Sequence, residues 1–182
     1  IIYYNTTTNI IKMTLYFITG NKHKLDEAKL ILGDDLQSTK LDLTEIQSMD
    51  SKVIISHKLK EAIKLHPDKH LFCEDVFFNI KSLNNFPGPL IKWWNQTINN
   101  QLTSDLIKQF DDYSAIAGAM IGYWDTKKMH FFEGKVEGII TQPKGESGFG
   151  FDPIFQPDGH NQTFAQMGIE KKSKVSHRAA AL

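Results

Sequence analysis

The chain has 182 residues, 41% of them hydrophobic and 23% charged, with 21 basic and 21 acidic side chains and a formal net charge of +0. That composition fits one globular α/β-sized domain able to bury a substantial core. It gives no support to long-range attraction for nucleic acid or an anionic membrane, so any anion site must be local. One cysteine, Cys73, excludes an internal disulfide and suits a reducing, cytoplasmic compartment, and no apolar run is long enough to span a bilayer.

Residues 1–12, "IIYYNTTTNIIK", lack a basic start and a long apolar centre and read as a flexible extension rather than a signal peptide. The domain is expected to run over 13–182, from Met13 onward. The three Asn-X-Thr triplets at Asn5, Asn95 and Asn161 are read as chance matches to a glycosylation pattern. "TLYFIT" reads as a buried strand ended by Gly20. The next segment is a helix capped by Asn21, with Leu25, Ala28, Ile31 and Leu32 at helical spacing and Gly33 at its end. A second helix begins at Ser51 and stops before Pro67, and "HLFCEDV" forms another strand in which Cys73 is a packed thiol. "PGPLIKWWNQTI" and "TSDLIKQF" supply helices. "YSAIAGAMIGYW" and "MHFFEGKVEGIIT" pair as an antiparallel hairpin about "DTKK". The order implies an α/β fold: a mixed central sheet flanked by helices, with an antiparallel lobe continuing from it.

Chemistry-bearing residues gather in five places. Lys22, His23 and Lys24 stand at the mouth of the first helix, where the dipole disfavours positive charge, so a bound anion is expected there. "TGNKHK" lacks the second glycine of a Walker A loop; a plain solvated helix start is the competing reading. "CEDV" puts Glu74 and Asp75 at a strand's carboxyl end. Alternation points them to opposite faces, so one is expected in the crevice and the other in a structural role. Glu45 in "DLTEI" is a further acid, either a surface charge or a partner for Mg²⁺ bridging phosphates. "SGFGFDPIFQPDG" is either an aromatic pocket wall or a rigid core loop. "EKKSKVSHRAAAL" places Lys171, Lys172, Lys174, His177 and Arg178 before an alanine-rich helix capped by Ser176; a solvated basic tail is the alternative.

In this order and spacing, "TGNKHKLDEA", "CEDV", "FPGPLIKWW", "FGFDPIFQPDG" and "VSHR" resemble the inosine triphosphate pyrophosphatase family, nearest its eukaryotic branch, from Met13 onward. The resemblance implies a homodimeric α/β protein of two lobes with a substrate cleft between them, which hydrolyses inosine, deoxyinosine and xanthosine triphosphates to the monophosphate and pyrophosphate with Mg²⁺, or Mn²⁺ in its place. It further implies that Thr19, Gly20, Asn21, Lys22, His23 and Lys24 hold the triphosphate with Lys58 and Lys92. Glu45 and Asp75 would bind the metal, Asp75 and Lys24 would be catalytic, and Asp75 would orient or deprotonate the attacking water. Phe149, Gly150, Phe151 and Asp152 would line the base and sugar pocket, and Lys172, His177 and Arg178 would read the purine edge. Two departures stand out. Val76 follows the acidic pair where the family carries Thr or Ser, removing a hydroxyl donor from the substrate site. The sequence also stops at Leu182, just after the helix of His177 and Arg178 begins, which is expected to loosen that helix. Two other readings compete: a nucleotide-binding module with little turnover, and a related pyrophosphatase acting on modified pyrimidine nucleotides. Trp93 and Trp94 are taken as exposed candidates for the dimer surface.

Overall fold

The computed structural model describes residues 13–182, so the expected 1–12 extension lies outside the described residues. Strand β1 (Leu15–Ile18) leads through helix α1 (Lys22–Leu32) to β2 (Gln37–Thr39), and α2 (Ser51–Leu65) leads to the long β3 (His70–Ile80). After a short 3₁₀ turn come β4 (Pro87–Gly88), α3 (Ile91–Thr97) and α4 (Asn100–Ile107). The hairpin β5 (Ser114–Trp124) and β6 (Met129–Ile140) follows, then β7 (Phe155–Pro157), α5 (Phe164–Val175) and α6 (His177–Ala181). One mixed sheet has the order β2-β1-β3-β5-β6-β7, with β4 beside β3. β1 pairs parallel with β2 and β3, whereas β3, β5, β6 and β7 pair antiparallel.

Period-two alternation decides which helix covers which face. Phe17, Phe72, Ala119 and Ile121 point to the side covered by α1 and α6. Their neighbours Ile18, Leu71, Cys73 and Met120 pack against Ile55, Leu59 and Ala62 of α2. A third cluster, around Phe78, Phe151, Phe155 and Phe164, fills the far end of the long strands. Among the described residues, no helix is long and apolar enough to cross a membrane.

Several local expectations are met by particular caps. The Asn21 side chain accepts from Lys24 N–H and Gly33 N–H bonds Lys29 O, fixing α1 at both ends. Ser176 Oγ accepts from Ala179 N–H at the start of α6. α2 starts at Ser51 as expected, with Asp50 as its cap, whose carboxylate accepts from Lys52 N–H. Others are corrected. The "EKKSKV" run belongs to α5, whose Thr163 and Gln166 form a reciprocal capping box. Trp94 is not exposed, since its indole N–H donates to Thr103 Oγ1 at 2.9 Å and its ring meets Phe86 edge-on. Trp93 alone of the pair stands exposed. Nor is α6 loose. It lies so close to β6 that a Cβ on Gly134 would stand 2.2 Å from His177 O and 2.4 Å from Ala181 N.

Candidate active site

The β1–β3 ladder ends at Phe17↔Phe72, and β4 rejoins β3 only at Phe78. Between them β3 is open on that side, beyond the carboxyl end of β1, where open α/β sheets bind ligands. A cavity of about 500 Å³ occupies this opening. Thr19, Gly20, Asn21 and Lys24 line one side of it, Glu45 and Lys58 another, and Lys92 of α3 a third. Phe149 to Asp152, with Lys172, His177 and Arg178, complete the wall.

Both Glu74 and Asp75 also border the cavity, which corrects the expectation that only one would. The alternation itself holds: Glu74 meets Arg178 of α6, and Asp75 lies beside Ser51 of α2. The gap in the sheet is what admits both.

Lys22 and His23 lie outside the cavity wall. Both are exposed, and His23 instead stacks on Phe149, with ring centroids 5.3 Å apart and planes 20° from parallel. Val76 does reach the wall, and its apolar side chain presents no donor there.

Beneath the cavity is a buried ion network. Arg178, fully buried, donates Nε to Glu74 Oε2 at 2.6 Å, one NH2 hydrogen to Glu74 Oε1 at 2.7 Å, and an NH1 hydrogen to Glu27. Lys172 bonds Glu27 Oε1 at 2.7 Å and Asp152 Oδ2 at 2.6 Å. Lys24 reaches Glu74 at 3.1 Å. Burial alone would raise the Glu74 carboxyl, but Arg178 and then Lys24 overcome it and hold it below the usual carboxylate range. Burial also drives His177 well below the ordinary imidazole value, and the neighbouring Arg178 and Lys172 charges add to this, so it stands neutral against Phe151 and Phe164. Glu27 has no role assigned by the sequence, although it lies in "TGNKHKLDEA" and stands beside Ala28 on the buried face of α1.

Asp75 is different. Burial raises its carboxyl to about 6, only partly opposed by Lys24 and Lys58, and Oδ2 is buried with no hydrogen-bond partner. Glu45 sits at the rim, held to about 2 chiefly by the hydrogen bond from Lys58 at 2.8 Å, with Lys92 at 3.1 Å. An acceptor left open in Asp75 and a second carboxylate, Glu45, lining the same cavity fit a Mg²⁺ ion that takes its remaining ligands from phosphate and water. Among the described residues no cluster of three or more His, Cys, Asp or Glu forms a closed protein cage.

A sequence model of the Ham1 family matches residues 15–182. The chain belongs to the Ham1 family. It is 37% identical over 175 residues to the inosine triphosphate pyrophosphatase of Schizosaccharomyces pombe, covering 94% of this chain and 92% of that one. With the inosine triphosphate pyrophosphatase of Kluyveromyces lactis it shares 37% over 179 residues, 93% and 92% of the two chains. Solved Ham1-like structures share the fold. The Staphylococcus aureus Ham1 protein superposes with a TM-score of 0.76 at 24% identity, over 92% of this chain and 93% of that one. The nucleoside-triphosphatase / dITP/XTP pyrophosphatase of Mycobacterium abscessus gives 0.68 at 25%, over 91% and 95%. Within this Ham1 chain, the five sequence segments that carry the resemblance all border or support the single cavity described above, "FPGPLIKWW" through Lys92 and "VSHR" through His177 and Arg178.

Proposed function

We propose that this cavity binds inosine, deoxyinosine or xanthosine triphosphate and hydrolyses the α–β phosphoanhydride, releasing the nucleoside monophosphate and pyrophosphate. The fungal relatives named inosine triphosphate pyrophosphatases support this reading. The observation that carries it is the convergence, in one cavity, of a helix N-terminus, an open carboxylate and a wall of locked cationic donors.

The N-terminal N–H groups of α1, Thr19 and Lys24 receive the phosphates. Lys58 and Lys92, which now hold Glu45, join them when the triphosphate enters. The wall carries five cationic side chains against four carboxylates, a net of about one positive charge against the roughly four negative charges of a triphosphate. That deficit supports a requirement for divalent cation. Magnesium, or manganese in its place, would be held by Glu45 and Asp75 and would neutralise charge at the leaving pyrophosphate. Asp75 orients the attacking water or takes its proton, through the carboxylate oxygen that has no hydrogen-bond partner.

Base selection rests on Arg178 and Lys172. Their carboxylate partners fix both heads in place, and Arg178 uses three of its five N–H bonds on Glu74 and Glu27. The remaining donors suit a 6-oxo purine, whereas an adenine amino group would leave both sides unpaired. A homodimer in a reducing, cytoplasmic compartment belongs to the same proposal, supported by exposed Trp93 and the single buried thiol. The test is incubation with inosine triphosphate and Mg²⁺, measuring pyrophosphate and inosine monophosphate together. Orthophosphate release, or tight binding without turnover, would overturn it.

A further inference from the structure

His23 sits in the first turn of α1, on the helix whose N-terminus faces the phosphates, yet it does not line the cavity. Its imidazole instead lies nearly parallel to the Phe149 ring, from outside the cavity that Phe149 borders.

Phe149 needs such support. It lies between Gly148 and Gly150, both with positive φ, at +81° and +63°. Its backbone is tied down: Phe149 N–H donates to Asp152 Oδ2 at 2.8 Å, and Asn100 Nδ2 donates to Gly150 O at 2.9 Å. The ring has no such bond. It is positioned by the Lys172 ammonium 4.8 Å from its centroid, the Arg178 guanidinium at 5.9 Å, and His23. Two of these three neighbours are the locked donors proposed to read the base.

We propose that His23 is a positioning residue: it braces the Phe149 ring as the stacking platform for the nucleobase, rather than binding phosphate. This rests on the purine triphosphate reading of the cavity. The brace acts on the nucleoside and leaves the phosphates untouched, so its loss should appear in KM and not in kcat. An offset-stacked aromatic pair contributes enough for about a 3- to 10-fold effect.

The experiment compares wild type with His23→Ala, His23→Phe and His23→Lys. It measures KM and kcat for inosine triphosphate, inosine monophosphate binding by calorimetry, and inhibition by pyrophosphate. The expected result is a 3- to 10-fold rise in KM and a matching loss of inosine monophosphate affinity in His23→Ala, with kcat and pyrophosphate inhibition unchanged. His23→Phe restores both losses and His23→Lys does not. Rescue by lysine with weakened pyrophosphate inhibition would overturn the brace in favour of a phosphate contact. Unchanged KM in His23→Ala would overturn it as well. A wild-type chain that binds no inosine monophosphate and releases no pyrophosphate would remove the function itself, and the brace with it. That result is distinct from an active enzyme indifferent to residue 23.

Discussion

Replacing Asp75 by asparagine should abolish turnover and yet make the metal-free protein more stable. The Asp75 carboxyl is raised from the ordinary 3.8 to about 6, because burial disfavours its charged form more than Lys24 and Lys58 favour it. A folded-state value above the unfolded one means the ionised group destabilises the fold. The penalty is absent below about pH 4, grows between 4 and 6, and is complete above 6. Two units at about 1.4 kcal/mol each set a ceiling of ~3 kcal/mol at pH 8. Asparagine keeps the shape without the charge. For a chain of this size 1 kcal/mol moves Tm by about 2–4 °C, so Asp75→Asn should melt several degrees higher at pH 8 in EDTA. The gain should shrink steadily toward pH 4. Thermal melts by circular dichroism across that range, beside a pyrophosphate-release assay, read both effects. A variant that melts no higher than wild type at pH 8, or whose gain persists at pH 4, refutes the reasoning about the open carboxylate. Wild-type turnover removes Asp75 from the mechanism.

Arg178→Ala leaves Glu74 and Glu27 buried without their guanidinium, and should lose about 3–5 kcal/mol in urea titration; a loss below 1 kcal/mol would show that the network is dispensable. Gly134→Ala pushes a methyl into the α6 backbone and should lower the urea midpoint by more than about 1 kcal/mol in equivalent stability, with an unchanged midpoint as the contrary result. Burial pushes the Cys73 thiol up to about 12, so a maleimide reagent at pH 7.5 should label it only after denaturation. Rapid labelling of the native protein would mean that β3 is not packed as described.

The parts of the fold that sequence foretold are those whose signals are local. Asn21 and Gly33 bound α1 by contacts within a turn, and the β5–β6 hairpin follows from two alternating runs joined by four residues. β2 escaped notice because "QST" is three residues long and polar. α5 escaped because Gly168, at φ +71°, interrupts its regular pattern and because "EKKSK" looks like a solvated charge run. Lys172 is buried there only because Glu27, 145 residues away, and Asp152 reach it, which is a tertiary fact with no local trace. The same holds for Glu74 and Asp75. Period two assigned their faces, but only the sheet's pairing shows that β3 is open between Phe72 and Phe78 and that one cavity meets both. Motif residues therefore marked where the site would form, and the carboxylates that lock its cations, Glu27, Glu74 and Asp152, lie in those same segments, but their pairing with Lys172 and Arg178 is visible only in the fold.

The most direct measurement is kcat/KM for pyrophosphate release across inosine, xanthosine, guanosine, adenosine and cytidine triphosphates, with Mg²⁺ and with EDTA. The locked donors of Arg178 and Lys172 predict inosine and xanthosine triphosphates ahead of adenosine triphosphate by about 100-fold or more, with activity lost in EDTA. Equal rates for inosine and adenosine triphosphates, or turnover indifferent to EDTA, would contradict the account.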